Sequence, residues 1–147
     1  MITLRPARST DVSFFYDCLC DLEAVQLDLA AFSRIFFQNI TDPTIRYVIA
    51  DSDNVPVGFL NCHVQWLLHH AGPVGEIQEM YVLAEWRSKG VGQLLIEHMA
   101  EQGRHENWVN LEVTSNRRRQ RTHAFYERMG FINSHVKLVN SLMEPGR

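Results

Sequence analysis

Arg87-Ser88-Lys89-Gly90-Val91-Gly92 is the stretch on which the reading of this chain turns. Upstream of it, Ile77 to Leu83 is rich in strand formers. Downstream, Val91, Leu94, Leu95, His98 and Met99 recur at i, i+3, i+4, i+7 and i+8, the stripe of one helical face. The hexapeptide therefore closes a strand and opens a helix. Its two glycines let the backbone approach a ligand closely, the helix start offers unpaired N–H groups, and Arg87 and Lys89 add positive charge. Such a turn can hold a pyrophosphate. It lacks the G-x-x-x-x-G-K-S/T pattern of a nucleotide P-loop, and Leu95 stands where a dinucleotide fingerprint needs its third glycine. A short glycine pattern equally fits an ordinary helix start with solvated basic residues, so the rest of the chain must decide.

Working outward, Ile2 to Arg5 reads as a first strand, and Ser9-Thr10-Asp11 offers capping oxygens for a helix running to about Leu22. Leu29, Phe32, Ile35 and Phe36 predict a second helix between Asp28 and Asn39, ended near Asp42-Pro43. Tyr47 to Ala50 and Val55 to Leu60 flank the turn cluster Asp51 to Asn54 and predict an antiparallel hairpin. Ala71-Gly72-Pro73 breaks the chain before Ile77 to Leu83 and predicts a second hairpin. Val109, Leu111 and Val113 alternate as in a half-buried strand. Thr122, Phe125, Tyr126 and Met129 mark a helix ended by Gly130, and Phe131 to Val139 reads as a terminal strand pair.

With 147 residues, 46% of them apolar, the chain can build one core and is too short for two ordinary domains, so residues 1–147 are expected to form a single domain. A net charge of -3 argues against a nucleic-acid partner, which normally demands an excess of Lys and Arg on one face. No stretch has the apolar length of a membrane span or of a signal-peptide core, so no membrane partner is expected and the cytoplasm is the expected location. Cys18, Cys20 and Cys62 are odd in number and lack C-x-x-C spacing, which predicts free, buried thiols.

Two motifs together carry a family resemblance. Arg87, Gly90 and Gly92 match the acyltransferase pattern of Gln or Arg, two residues, Gly, one residue, then Gly or Ala, and Asn116 is followed by Ala124-Phe125-Tyr126-Glu127-Arg128-Met129-Gly130-Phe131. On these residues the chain resembles the GNAT superfamily of N-acetyltransferases. Within it, Arg46-Tyr47, His69-His70 and Gly75-Glu76-Ile77-Gln78-Glu79 are similar to the bacterial aminoalkylphosphonate N-acetyltransferases.

The resemblance implies an α/β (α+β) GNAT fold, a mixed, mostly antiparallel sheet of six to seven strands flanked by about four helices. It implies acetyl-CoA as co-substrate, a small primary amine as acceptor, and a homodimer by analogy. The loop residues Arg87, Ser88, Lys89, Gly90, Val91, Gly92 and Gln93 would hold the cofactor, with the backbone of Met80, Tyr81 and Val82 and the side chain of Asn116. A free alkylamine with a pKa near about 10 is mostly protonated at neutral pH, so a carboxylate must help remove its proton. Glu76 matches the family position for this base. Glu79 is the alternative, and strand alternation places the two on opposite faces unless a bulge intervenes. Tyr126 resembles the family tyrosine that protonates the departing thiolate, and it also fits the apolar stripe of its helix.

His69, His70 and Tyr47 are candidates for the acceptor site by the same likeness. With His63 the two histidines could instead hold a divalent metal or serve as surface and packing groups. The basic run Arg117-Arg118-Arg119 with Arg121 would attract an anion. The competing readings are a transferase for another small amine, such as an aminoglycoside or polyamine, and a non-catalytic CoA-binding regulatory module.

Overall fold

The computed structural model describes residues 1–115 and 119–143, which belong to two units, Met1–Val113 and Thr114–Arg147. The first unit holds strands β1 (Ile2–Pro6), β2 (Ile45–Ser52), β3 (Val55–Leu67), β4 (Gly72–Val82) and β5 (Asn110–Val113), with helices α1 (Val12–Glu23), α2 (Leu29–Asn39) and α3 (Val91–His105). The second holds α4 (Gln120–Arg128).

The sheet runs in the order β1-β2-β3-β4-β5. Its first four strands pair antiparallel and β5 joins β4 in parallel. The expected mixed, mostly antiparallel architecture is therefore present, with five strands among the described residues rather than six or seven. The missing pair is the one anticipated at Phe131 to Val139. These residues carry strand-forming side chains, yet none takes a ladder partner, and Ile132, Val136 and Leu138 are exposed. Propensity alone does not make a strand.

Asp53 and Asn54, both at positive φ, form the two-residue turn of the β2–β3 hairpin, the geometry that matches the twist of its strands. Alternation along β3 sends Phe59 and Asn61 to one face of the sheet and Leu60 and Cys62 to the other. On the first face, Phe15, Cys18 and Leu19 of α1 and Phe36 of α2 close a core with Ile49 and Phe59. Phe15 stands at its centre, with ring centroids 4.4 Å from Phe59 and 5.2 Å from Phe36. Asp28 caps α2 by accepting from the Ala31 N–H at 3.1 Å. α3 packs on β3 and β4 through buried Val91, Leu95, Ile96 and Met99.

Two polar devices fix the ends of this arrangement. Arg5 on β1 donates through Nε to Asp51 at 2.7 Å and through its two terminal nitrogens to Asp11 at 2.8 and 3.0 Å. Burial works against the charge on Asp11, but hydrogen bonds from Arg5 and the Arg8 N–H outweigh it and hold the carboxyl below its usual range. At the far side, Arg46 of β2 forms a two-pronged pair with Glu106 at 2.7 and 2.8 Å and lies 5.8 Å over the Trp108 ring. That ring fills a slot between β4 and α3. A Cβ added at Gly75 would stand 2.2 Å from Trp108, and one at Gly103 2.7 Å.

Gly75→Ala is accordingly expected to cost about 2 kcal/mol through overpacking against the indole, read as a lower urea midpoint with unchanged slope. Arg5→Ala strands two buried carboxylates and is expected to cost about 3 kcal/mol at neutral pH. Because the folded carboxyl of Asp11 sits below its usual value, the contribution is present above about pH 4 and lost as pH falls. The gap between variant and parent should therefore shrink in urea titrations carried out below that pH.

Candidate active site

The anion turn begins where β4 ends. A single 3₁₀ turn, Ala84–Trp86, leads into Arg87, and Ser88 and Gly90 both take positive φ, 61° and 86°. Gly90 is the N-cap of α3, and a Cβ built on it meets nothing within 4 Å. Its glycine is thus demanded by conformation alone, since a side chain would have room, and the open space at the turn leaves the backbone accessible. The N–H groups of Val91, Gly92 and Gln93 begin the helix, where the backbone lacks partners of its own. The basic side chains turn back: Arg87 Nε donates to the Val82 carbonyl at 2.9 Å and its guanidinium lies 5.2 Å over the Tyr81 ring, while Lys89 Nζ stands 5.2 Å over Trp86. They brace the turn as well as charging it, and Gln93 is tied to Glu97 at 2.9 Å.

β4 carries the second feature. In its ladder with β3, Asn61 faces Glu79 and Cys62 faces Ile77, so Gln78 is an extra residue, a β-bulge. Glu76 faces His63 and Glu79 faces Asn61, two positions of β3 that share a face, so the bulge brings both carboxylates to one side of the sheet. β5 pairs only with Val74 to Ile77. From Gln78 to Val82, including Met80, Tyr81 and Val82, β4 has no strand on that side among the described residues, which leaves a backbone edge next to the turn. Tyr81 itself points toward α1, where its hydroxyl donates to Asp21. Burial and then that bond push its pKa up to about 12.

The third feature is a cavity of about 460 Å³ under α1 and α2. Phe15, Leu19, Phe32 and Phe36 give it apolar walls, and Tyr47, Asn61, Glu79 and Glu23 supply its polar groups. Asn61 Nδ2 donates to Glu79 Oε1 at 2.9 Å, and Asn39 Nδ2 donates to the Tyr47 hydroxyl oxygen at 2.8 Å. Burial raises the Tyr47 pKa against that hydrogen bond, so the phenol keeps its proton.

A strand, a glycine turn and a helix thus stand in this order beside a β4 that bulges and parts from β5. The family model described as the Acetyltransferase (GNAT) family matches residues 13–131. The chain belongs to the GNAT acetyltransferase family. It is 34% identical over 139 residues to an aminoalkylphosphonate N-acetyltransferase of Salmonella typhimurium, covering 95% of this chain and 90% of that one. Among solved structures, a protein described as a transcriptional regulator from Bacillus halodurans superposes with a TM-score of 0.90 at 21% identity, covering 97% of this chain and all of that one (100%). A putative acetyltransferase from Agrobacterium tumefaciens gives 0.85 at 21% identity, covering 95% and 99%. These two structural likenesses speak for the fold.

In this GNAT chain the described residues put Glu76, Glu79 and Tyr47 on one face of one sheet, and the turn at the end of β4. They do not bring His69 and His70 to the cavity. Both lie in the 3₁₀ turn Leu68–His70 joining β3 to β4, with His70 Nε2 3.8 Å from Glu112. Among the described residues no group of three or more His, Cys, Asp or Glu could hold a metal ion, and no helix is long and apolar enough to cross a membrane. Asn116, Arg117 and Arg118 lie outside the described residues. In the second unit Tyr126 is buried in α4, its ring 5.4 Å from those of Phe125 and Phe131, and burial raises its pKa to about 12.

Asn61 is the polar residue that the sequence reading passed over. Its signal was an amide inside the apolar run Phe59-Leu60-Asn61-Cys62, where an ordinary core strand has no use for one. At the turn, Gly90→Ala is expected to cost about 1 kcal/mol because the left-handed conformation penalises a Cβ. Gly90→Asn should cost less, and the two melting temperatures compare them directly.

Proposed function

We propose that this N-acetyltransferase moves the acetyl group of acetyl-CoA to the primary amine of a small molecule, and that both units belong to one catalytic domain. The observation that carries the proposal is the positive-φ Gly90 turn at the start of α3, alongside the stretch of β4 that β5 leaves unpaired. Backbone amides of Val91, Gly92 and Gln93 would hold the pyrophosphate, and the exposed edge of Met80 to Val82 would align the acyl arm and donate to the acetyl oxygen. Acetyl-CoA supplies the activated thioester.

Glu76 is the proposed base, with Glu79 the alternative. It removes one proton as the amine nitrogen bonds to the acetyl carbon and the carbon–sulfur bond breaks. Tyr126 is the proposed acid for the departing thiolate, supported by its motif. Burial keeps the Tyr126 phenol protonated at neutral pH, and its pKa of about 12 also makes it a weaker acid than a thiol of intrinsic pKa about 8.5, so the motif rather than the shift supports the role. Asn116 is proposed to orient the pantetheine arm.

An aminoalkylphosphonate is the first candidate acceptor, on the name of the Salmonella relative and the family resemblance carried by Arg46-Tyr47 and Gly75 to Glu79. His69 and His70 belong to that reading by the family likeness alone, since they lie in the turn between β3 and β4 and do not line the cavity. A different cationic amine is the second reading, favoured by a specific observation: the charged groups lining the cavity are the carboxylates Glu23 and Glu79. The free cysteines fit a cytoplasmic setting, and a homodimer is proposed by analogy with the family.

Acetyl-CoA uptake by the folded protein in calorimetry, followed by thiol release with a panel of amines, tests the proposal, and no uptake overturns it. Tyr126→Phe is expected to lower kcat by at least about 100-fold, in the range of general acid–base contributions, while leaving acetyl-CoA affinity nearly intact. Unchanged turnover would remove Tyr126 from the reaction.

A further inference from the structure

The last turn of α1 is a weak helix end. Asp21 and Glu23 put negative charge beside the negative end of the helix dipole, and no basic residue stands in that turn to offset it. Ala24 closes the helix at φ 54°, a left-handed position that a Cβ disfavours, and residues 24–26 beyond it are exposed. A terminal turn of this kind opens more readily than the body of its helix unless something outside holds it. One wall of the cavity depends on it, since Leu19, Glu23 and Val25 are lining residues.

Tyr81 is the outside hold. Its hydroxyl donates to Asp21 Oδ2, its ring stacks on Phe59 of the core at 6.5 Å and 20°, and the Arg87 guanidinium lies 5.2 Å over the same ring. Burial, and then the bond to Asp21, push the phenol up to about 12, so it is a donor at neutral pH. Arg87 opens the anion turn, and its Nε bond to the Val82 carbonyl at 2.9 Å ties that first residue back to β4. A plain apolar side chain at position 81 would also cover Phe59. The tyrosine covers it and joins an acidic group on α1 to a basic group on the turn.

We propose that Tyr81 and Asp21 are positioning residues for the acetyl-CoA turn, acting through Arg87, and that the last turn of α1 and the turn before α3 are linked by them. The bond to Asp21 fixes where the Tyr81 ring lies, and the ring fixes where Arg87 lies. A ligand that holds the turn therefore also holds the end of α1, and by reciprocity a closed α1 end favours the ligand. The two-state element is the terminal helical turn, closed or frayed. The proposal rests on the reading of the turn at Gly90 as the acetyl-CoA site.

Calorimetry with acetyl-CoA and hydrogen exchange of residues 18–23 test it together. Tyr81→Phe keeps the ring on Phe59 and under Arg87 and deletes only the hydroxyl; Asp21→Ala deletes its acceptor. Each should weaken acetyl-CoA about threefold, the worth of one exposed charged contact. The two combined should also cost about threefold, because they remove the same bond. In an Arg87→Ala background neither should have a further effect. Acetyl-CoA should slow exchange at residues 18–23 of the parent at least about threefold and leave it unchanged in Tyr81→Phe. Asp21→Asn, which keeps an acceptor oxygen, should restore the slowing. A merely structural tyrosine would alter exchange in the free protein and leave the response to acetyl-CoA intact.

Parent-like affinity in both single variants, losses that multiply to about tenfold in the double variant, or the same losses without Arg87 overturn the positioning role. So do equal slowing in parent and Tyr81→Phe, no slowing in the parent, or an Asp21→Asn variant that behaves as Asp21→Ala. The uptake in the same titrations separates the two claims. If the parent binds acetyl-CoA and these effects are absent, the positioning role falls and acetyl transfer stands. If the parent takes up no acetyl-CoA, the transferase reading falls and the positioning role falls with it.

Discussion

Gln78 is one residue more than the ladder between β3 and β4 can pair, and the geometry of the site follows from that excess. A regular strand would turn Glu76 and Glu79 to opposite faces. With the bulge, both share a face with His63 and Asn61, and Glu79 reaches the Asn61 amide. The same point on β4 is where β5 stops pairing, while the ladder with β3 continues to Val82. Bulges twist and bend the strand that carries them. Here one local irregularity serves two ends, since it aims carboxylates at one side of the sheet and clears a backbone edge next to the turn that opens α3.

Much of this was legible in the residues. The hairpin of β2 and β3 followed from two strand-forming runs around Asp51 to Asn54, and the structure makes its turn from Asp53 and Asn54 at positive φ. The stripe from Val91 to Met99 gave α3, and the glycine pattern at its start gave the turn, because conformational demand at Gly90 is written directly as glycine. The β4 bulge was foreseen only as a condition. No residue type marks a bulge of this kind, and its position depends on how thirteen residues of β3 register with eleven of β4.

What could not be read was whatever depends on partners distant in sequence. Phe131 to Val139 has the composition of a strand and takes no ladder partner among the described residues, because pairing is decided by what lies alongside. Asn61 looked like one more member of a core strand, and its meaning emerged only when Glu79, eighteen positions away, took its amide hydrogen. Arg46, read as part of a family likeness, proves to clamp β2 to Glu106 and to cover Trp108, so its place in that likeness has a mechanical reason. Arg87 is similar: charge was its legible property, while its hydrogen bond to Val82 and its stacking on Tyr81 hold the turn in shape.

The indole slot has a consequence for how this protein can change. Gly75 and Gly103 come from different elements, and the Trp108 ring occupies the space where either would carry a side chain. Enlarging one of them is tolerable only if the ring is traded for something smaller, and shrinking the ring leaves a void that both glycines then border. The three positions behave as a single unit of volume, so a redesign of the region between sheet and helix must exchange them together.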